Sequence, residues 1–314
     1  MNIKDYYPLC IDEQLKKEFG TENYKNIKNA FNEGNIEEFV EDLFKNPKTN
    51  YYYASVKEEE INSSTQRFIA IFSWLKYKQI YKFDKDLWDL IQDVNSLEIH
   101  CSVFQSLPFP VFYIDHPFNN DLKGCIVMYG EIEDQKYIKF VFFADNNTSF
   151  LCLPLNDDIE GKTIEELIQN YVGDTNDYDI SWFMQNMRSA LNCIIYLCTE
   201  NPDISTSYID MPNIPGNKSK DKKRKPSKKN KLNVSNVGTK IGKVIRDSRS
   251  DKRYHSEATG TGKQKSPHIR KAHYHSFWTG TGEDRRLIVR FLSPMFIHGN
   301  DIDKNIATIR RKQI

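Results

Sequence analysis

His273 and His275 stand two residues apart in "AHYHSFWTG", and Arg270 precedes the first of them by three. In a strand, alternate side chains share a face, so the two imidazoles lie about 7 Å apart with Phe277 beside them, while Tyr274, Ser276 and Trp278 face the other way. Two histidines and an arginine are the parts of a metal-independent ribonucleolytic site. One neutral imidazole takes the 2′-hydroxyl proton, a protonated one serves the leaving oxygen, and the guanidinium steadies the charge on phosphorus. His273, His275 and Arg270 are therefore the candidate catalytic residues.

The same segment offers a second chemistry that needs no bond breaking. Tyr274, Phe277 and Trp278 can stack on unpaired bases, while His268, Lys271, Arg285, Arg286 and Arg290 neutralise phosphates. Lys222, Lys223 and Arg224, in "KSKDKKRKPSKKNK", extend that basic surface. A third reading gathers His268, His273 and His275 with His255 or His298 around a divalent metal, but no cysteine lies near and no spacing matches a zinc motif. In a fourth, the histidines satisfy backbone groups and the aromatics are core. Neither a metal nor a cofactor is expected.

"YHSEATGTG" at 254–262 and "YHSFWTGTG" at 274–282 repeat nearly one phrase, and only the second is followed by an alternating run, "RRLIVRFL". The two runs joined through "TGED" predict a β-hairpin, which as two isolated strands would be marginal and so must pack on something. Neither copy fits GxxxxGK[ST] or GxGxxG, so a nucleotide site is not indicated.

The rest of the chain must position that hairpin. "IDEQLKKEF", "TENYKNIKNAFNEG" with Thr21 as N-cap, "NIEEFVEDLF" with Asn35 as N-cap, "TQRFIAIFSWLKYKQIY" and "DKDLWDLIQDV" carry apolar residues at helical spacing, making 1–100 a helical region. Residues 101–202 switch to period two in "PVFYID", "GCIVMYGEIE", "KYIKFVFFAD" and "SFLCLPL", an antiparallel meander, before two helices. The first of these opens with Thr163 and Glu166 in a capping box. Residues 203–253 read as a flexible basic linker with little to bury, and 254–314 as the His- and Trp-rich hairpin region. The fold class is α+β. Asp115 beside His116 in "FYIDHP" has the types of an acid–base pair but reads as a turn.

Charge divides the chain more sharply than its net +1 suggests. Residues 1–210 hold 18 Lys and Arg against 35 Asp and Glu, whereas 211–314 hold 26 against 8. Such asymmetry points to a basic arm for nucleic acid. A DNA-binding regulator is disfavoured because the basic region shows no helical period for a major groove. The six cysteines form no CxxC pair and no framework, which fits buried thiols in a reducing compartment, the cytoplasm. No apolar run is long enough to span a bilayer, so no membrane partner is expected.

"SPHIRKAHYHSFWTGTGEDRRLIVRFLSPMFIHG" closely resembles the C-terminal signature of a type V-A anti-CRISPR family of phages and mobile elements. Pro267, His268, Arg270, His273, His275, Trp278, Gly280, Gly282, Val289, Arg290 and Pro294 fit it in order, and "LPFPVFYID" at 107–115 and "LCTENPDI" at 197–204 agree more loosely. The resemblance implies a protein of the bacterial host cytoplasm that recognises the N-terminal segment of a nascent polypeptide, a type V-A CRISPR effector in the family. It further implies a ribosome-associated mRNA as second partner, which is then lost. A basic arm and an acidic body reading RNA and peptide together would gain from tethering, which gives the second contact a high effective concentration.

Overall fold

The computed structural model of this chain describes residues 7–45, 58–92, 94–115, 122–132, 135–144, 148–155, 162–172, 178–210, 231–251, 268–270, 272–293 and 295–297. They form an α+β protein in two compact units. One comprises Met1–Lys82, Phe109–Asn156 and Ser205–Ser235, the other Phe83–Pro108, Asp157–Ile204 and Asn236–Ile314.

The first unit begins with helices. The two helices expected at the start run end to end as α1 (Tyr7–Glu33), broken at Gly20, whose φ of 75° and ψ of 159° are not helical. In α2 (Ile36–Lys45), the Phe39 N–H donates to the Asn35 carbonyl at 3.1 Å, placing Asn35 at the helix start as its type suggests. α3 (Glu58–Tyr77) stops earlier than the sequence predicts. Lys78 sits at φ 53°, and "QIYKF" continues as strand β1 (Gln79–Phe83). Ile80 and Tyr81 are both buried, so this strand is covered on two faces and its apolar run mimics helical periodicity.

The sheet has seven strands. β2 (Val111–Ile114), β3 (Leu122–Ile132), β4 (Gln135–Ala144) and β5 (Thr148–Leu155) make the expected antiparallel meander. β1 adds to β2 in parallel, with Ile80 opposite Tyr113. β6 (Ile204–Asp210) and β7 (Lys231–Val237) then extend the sheet in the order β5-β4-β3-β2-β1-β7-β6. One core joins helices and sheet: Leu15, Ile27, Val40, Phe68, Ile71 and Trp74 pack with Tyr113, Ile126, Val141, Phe143 and Val234.

β6, β7 and the helix α7 (Thr239–Asp251) correct the expectation of a flexible linker over 203–253. "ISTSYID" and "KLNVSNV" carry β-branched and alternating residues that pair within the sheet, and Leu232, Val234 and Val237 are buried. The Lys-rich middle, 211–230, with Lys222, Lys223 and Arg224, lies outside the described residues.

The second unit is built on α4 (Lys85–Gln92), a 3-10 turn at Cys101–Ser106, α5 (Ile164–Val172), α6 (Tyr178–Leu197) and α7. Asp84 caps α4, its Oδ1 accepting from the Asp86 N–H at 3.0 Å. The capping box of α5 is present in both directions: the Thr163 N–H donates to Glu166 Oε2 at 2.7 Å, and the Glu166 N–H to Thr163 Oγ1 at 3.2 Å. Asp203 supplies the cap of α7 from a distant segment, its Oδ2 accepting from the N–H groups of Lys240 (2.6 Å) and Ile241 (3.2 Å). A short antiparallel pair, β8 (His268–Arg270) with β11 (Met295–Ile297), and the hairpin β9 (His273–Thr279) with β10 (Arg286–Leu292) complete it. Among the described residues no helix is long and apolar enough to cross a membrane.

Candidate nucleic-acid interface

The hairpin is the element in which the sequence placed its chemistry, and its geometry follows from its turn. Gly280, at φ 83°, leaves β9 so closely that an added Cβ would lie 2.3 Å from the Asp284 carbonyl oxygen, a contact only glycine permits. The second "TGTG" is therefore a turn requirement. The first copy, with His255, lies outside the described residues.

Antiparallel register then fixes the neighbours: Thr279 faces Arg286, Trp278 Leu287, Phe277 Ile288, His275 Arg290 and His273 Leu292. One face of the hairpin turns toward α6. The Tyr274 hydroxyl donates to the Asn192 carbonyl at 3.1 Å, and its ring tilts on Phe291 at 5.4 Å. Phe291 in turn meets Tyr196 edge to face at 5.3 Å, and the Glu200 N–H donates to the Val289 carbonyl at 2.8 Å. Burial pushes the Tyr274 phenol well above its usual range. Tyr274, expected among the base-stacking residues, is thus an anchor of the hairpin.

The opposite face gathers His275, Phe277 and Arg290. His275 is exposed, its ring 5.7 Å from that of Phe277, and the Arg290 guanidinium lies over Phe277 at 4.8 Å. Arg290 Nε donates to Glu200 Oε2 at 2.5 Å. That bond, with the charges of Arg290 and Arg286, holds the Glu200 carboxyl below its usual range. Near the hairpin turn, Arg285 stacks over the indole of Trp278 at 4.5 Å, and His100 meets that indole edge to face at 5.8 Å. The half-buried indole thus meets both a guanidinium and an imidazole.

The remaining expected residues are placed as follows. His273 starts β9, one side of the same face as His275. His268 and Arg270 lie on β8, whose Arg270 pairs in register with Met295, and their side chains are outside the described residues. Lys271 and His298 are outside them also. Arg285 and Arg286 are exposed. Asp115, beside His116, forms an ion pair with Lys82 at 2.8 Å, and its N–H donates to the Tyr81 carbonyl at 2.8 Å. No group of three or more His, Cys, Asp or Glu assembles for a metal among the described residues. The described cysteines are unbridged thiols, and burial raises Cys101, Cys125, Cys152 and Cys198 above the usual thiol value.

Two residues escaped sequence reasoning. Glu200 lies 90 positions from Arg290, and its only sequence signal was membership of "LCTENPDI". His100, joined to Thr163 by an isolated bridge, gave none.

Comparison with solved structures gives a match to a chain described as "Crystal structure of AcrVA2", at 18% identity and a TM-score of 0.57, covering 92% of this chain and 98% of that one. At that identity the likeness speaks for the fold. No curated protein matches. The family profile described as AcrVA2-like, anti-CRISPR type V subtype A2, matches residues 81–299, which take in β2 through β11 and so the whole hairpin. On that match over more than two thirds of its length, the chain belongs to the anti-CRISPR type V subtype A2 family.

Proposed function

We propose that this protein acts in the cytoplasm of a bacterial host, recognises the N-terminal segment of a nascent CRISPR effector and brings about loss of the message being translated. The terminal hairpin is its RNA-contacting surface. The observation that carries the RNA assignment is the outward face of the hairpin, where exposed His275 and Arg290 flank Phe277, in a chain of this family. An aromatic ring beside an imidazole and a guanidinium suits single-stranded RNA, because any base can stack and the guanidinium can neutralise a phosphate. The basic composition of residues 211–314 supports the same surface.

Of a binding adaptor and a ribonuclease, we take the adaptor, which needs only the exposed guanidinium and the ring on the hairpin's outward face, whereas the ribonuclease also needs Arg270, the candidate catalytic arginine, beside His273 and His275. Purified protein incubated with RNA in EDTA is expected to bind and not to cut. Cleavage abolished by His273→Ala or His275→Ala with binding retained would establish the ribonuclease reading instead. For the whole scheme, the protein is captured from translating cells, and associated nascent chains and messages are sequenced. Enrichment of effector N-termini with their own mRNA is expected; recovery of neither overturns the reading.

A further inference from the structure

We infer that the outer edge of β6 is the docking strand for an extended polypeptide, which joins the seven-stranded sheet as an eighth strand. This rests on the peptide-recognition reading above and names where the peptide binds. β6 ends the strand order, so its outward N–H and C=O groups have no strand partner among the described residues. Ser205, Thr206, Ser207 and Tyr208 are exposed in succession, while Ile209 packs against the core, and Tyr208 at 68% exposure is the most open large apolar side chain described.

Sheet edges are ordinarily guarded by lysine, proline, bulges or covering side chains, because a bare edge recruits other chains. The opposite edge of this sheet follows that rule. β5 carries Pro154, which has no N–H to offer, and from Phe150 onward its residues alternate between half-buried and buried. β6, "ISTSYID", contains neither lysine nor proline along seven residues, a length of about 23 Å. Among the described residues β6 is left without a strand on its outer side, the arrangement to which an extended peptide adds as a further strand.

The chemistry of the occupant is written across the sheet. The buried Gln79 side chain on β1 donates through Nε2 to Ser235 Oγ on β7 at 2.9 Å, and Ser235 Oγ shares a hydrogen bond of 2.9 Å with Thr206 Oγ1 on β6. This polar ladder crosses three strands on one face and ends at the open edge. A hydroxyl or amide side chain opposite Thr206 continues it, and an aromatic or β-branched side chain two residues along the same face covers Tyr208. The occupant is accordingly an extended, proline-free segment with Ser, Thr, Asn or Gln alternating with an apolar residue.

The test uses the full chain and a synthetic peptide of the N-terminal residues of a type V-A CRISPR effector. Binding is measured by anisotropy for the wild type, Tyr208→Lys and Thr206→Val, with thermal melting as the check that each variant folds. A set of peptides, each N-methylated at one backbone nitrogen, is measured alongside. The inference expects losses with a period of two residues along the peptide, because alternate N–H groups face the edge. It also expects Tyr208→Lys to weaken binding by about fivefold or more with melting retained, and Thr206→Val to weaken it less. Peptide binding unaffected by Tyr208→Lys, or N-methyl losses without that period, overturns the docking strand while leaving peptide recognition standing. No peptide binding overturns both. A dimer in solution that Tyr208→Lys dissociates assigns the edge to a second copy and also overturns it.

Discussion

Arg290 Nε lies 2.5 Å from Glu200 Oε2, so the cation at the centre of the hairpin's outward face already holds an anion of its own. Glu200 is kept in place by its own backbone, whose N–H donates to the Val289 carbonyl beside Arg290. Under the proposed RNA-binding role, a carboxylate there occupies the position that a phosphate oxygen would take, and RNA would have to displace it. Glu200→Gln is expected to tighten binding to a single-stranded RNA oligonucleotide by about two- to fivefold, the range of exposed ion pairs. Filter binding or anisotropy across salt concentrations checks it, and weaker binding by the variant contradicts the competition. Acid should act in the same direction. The Glu200 carboxyl is held low by Arg290, so the pair is intact above the ordinary value of 4.5 and opens as pH falls through the lowered one.

Tyr274 and Trp278 share one strand face, yet only Tyr274 reaches into α6 with its hydroxyl. Tyr274→Phe keeps the ring against Phe291 and removes the bond to the Asn192 carbonyl, so it is expected to cost about 1 kcal/mol in chemical denaturation. RNA affinity should stay unchanged once the protein is folded. A loss of RNA affinity with stability intact would mean that the Tyr274 hydroxyl itself contacts RNA.

What the sequence made legible was local. The capping box at Thr163 and Glu166 and the helix start at Asn35 arise from residues within one turn of one another, the hairpin from His273 to Leu292 from two runs joined by one short loop, and each is present. Illegible features join distant segments. β1 pairs in parallel with β2 across some thirty residues, Ile80 opposite Tyr113, and no local period encodes that partner. β6 and β7 flank a Lys-rich stretch whose composition set the expectation for its borders, although Leu232, Val234 and Val237 had the alternation of a strand. In the candidate site, cationic and aromatic residues were recognisable by type, while the anion facing them, Glu200, arrives from another segment.

Gly242 lies inside α7, where alanine would ordinarily stabilise a helix by about 1 kcal/mol. Here the sign reverses. A Cβ at this position would lie 2.0 Å from Asp84 Oδ1. That carboxylate cannot swing aside freely, since it caps α4 through the Asp86 N–H and accepts from Arg246 Nη1 at 3.0 Å. Gly242→Ala is expected to destabilise by roughly 1–3 kcal/mol, as overpacking does. Gly238→Ala should cost more, because its φ of 79° is unfavourable to alanine and its Cβ would meet the buried Leu87 at 2.0 Å. Urea unfolding of both variants checks the order, and a stabilised Gly242→Ala refutes the packing argument.

The capping box of α5 makes a prediction whose sign depends on pH. Thr163 and Glu166 satisfy each other's backbone N–H groups, and the bonds from the Thr163 N–H hold the Glu166 carboxyl below its usual range. A depressed carboxyl stabilises the fold above the ordinary value of 4.5 and loses that contribution as pH falls through the lowered value. Thr163→Ala removes the hydroxyl acceptor and is expected to cost about 1 kcal/mol at neutral pH. Glu166→Gln keeps an acceptor but no charge, so its melting temperature should fall below wild type at pH 7 and the gap should close on acidification. A gap that does not narrow as pH falls below 4.5 would mean that Glu166 acts through packing and not through its charge.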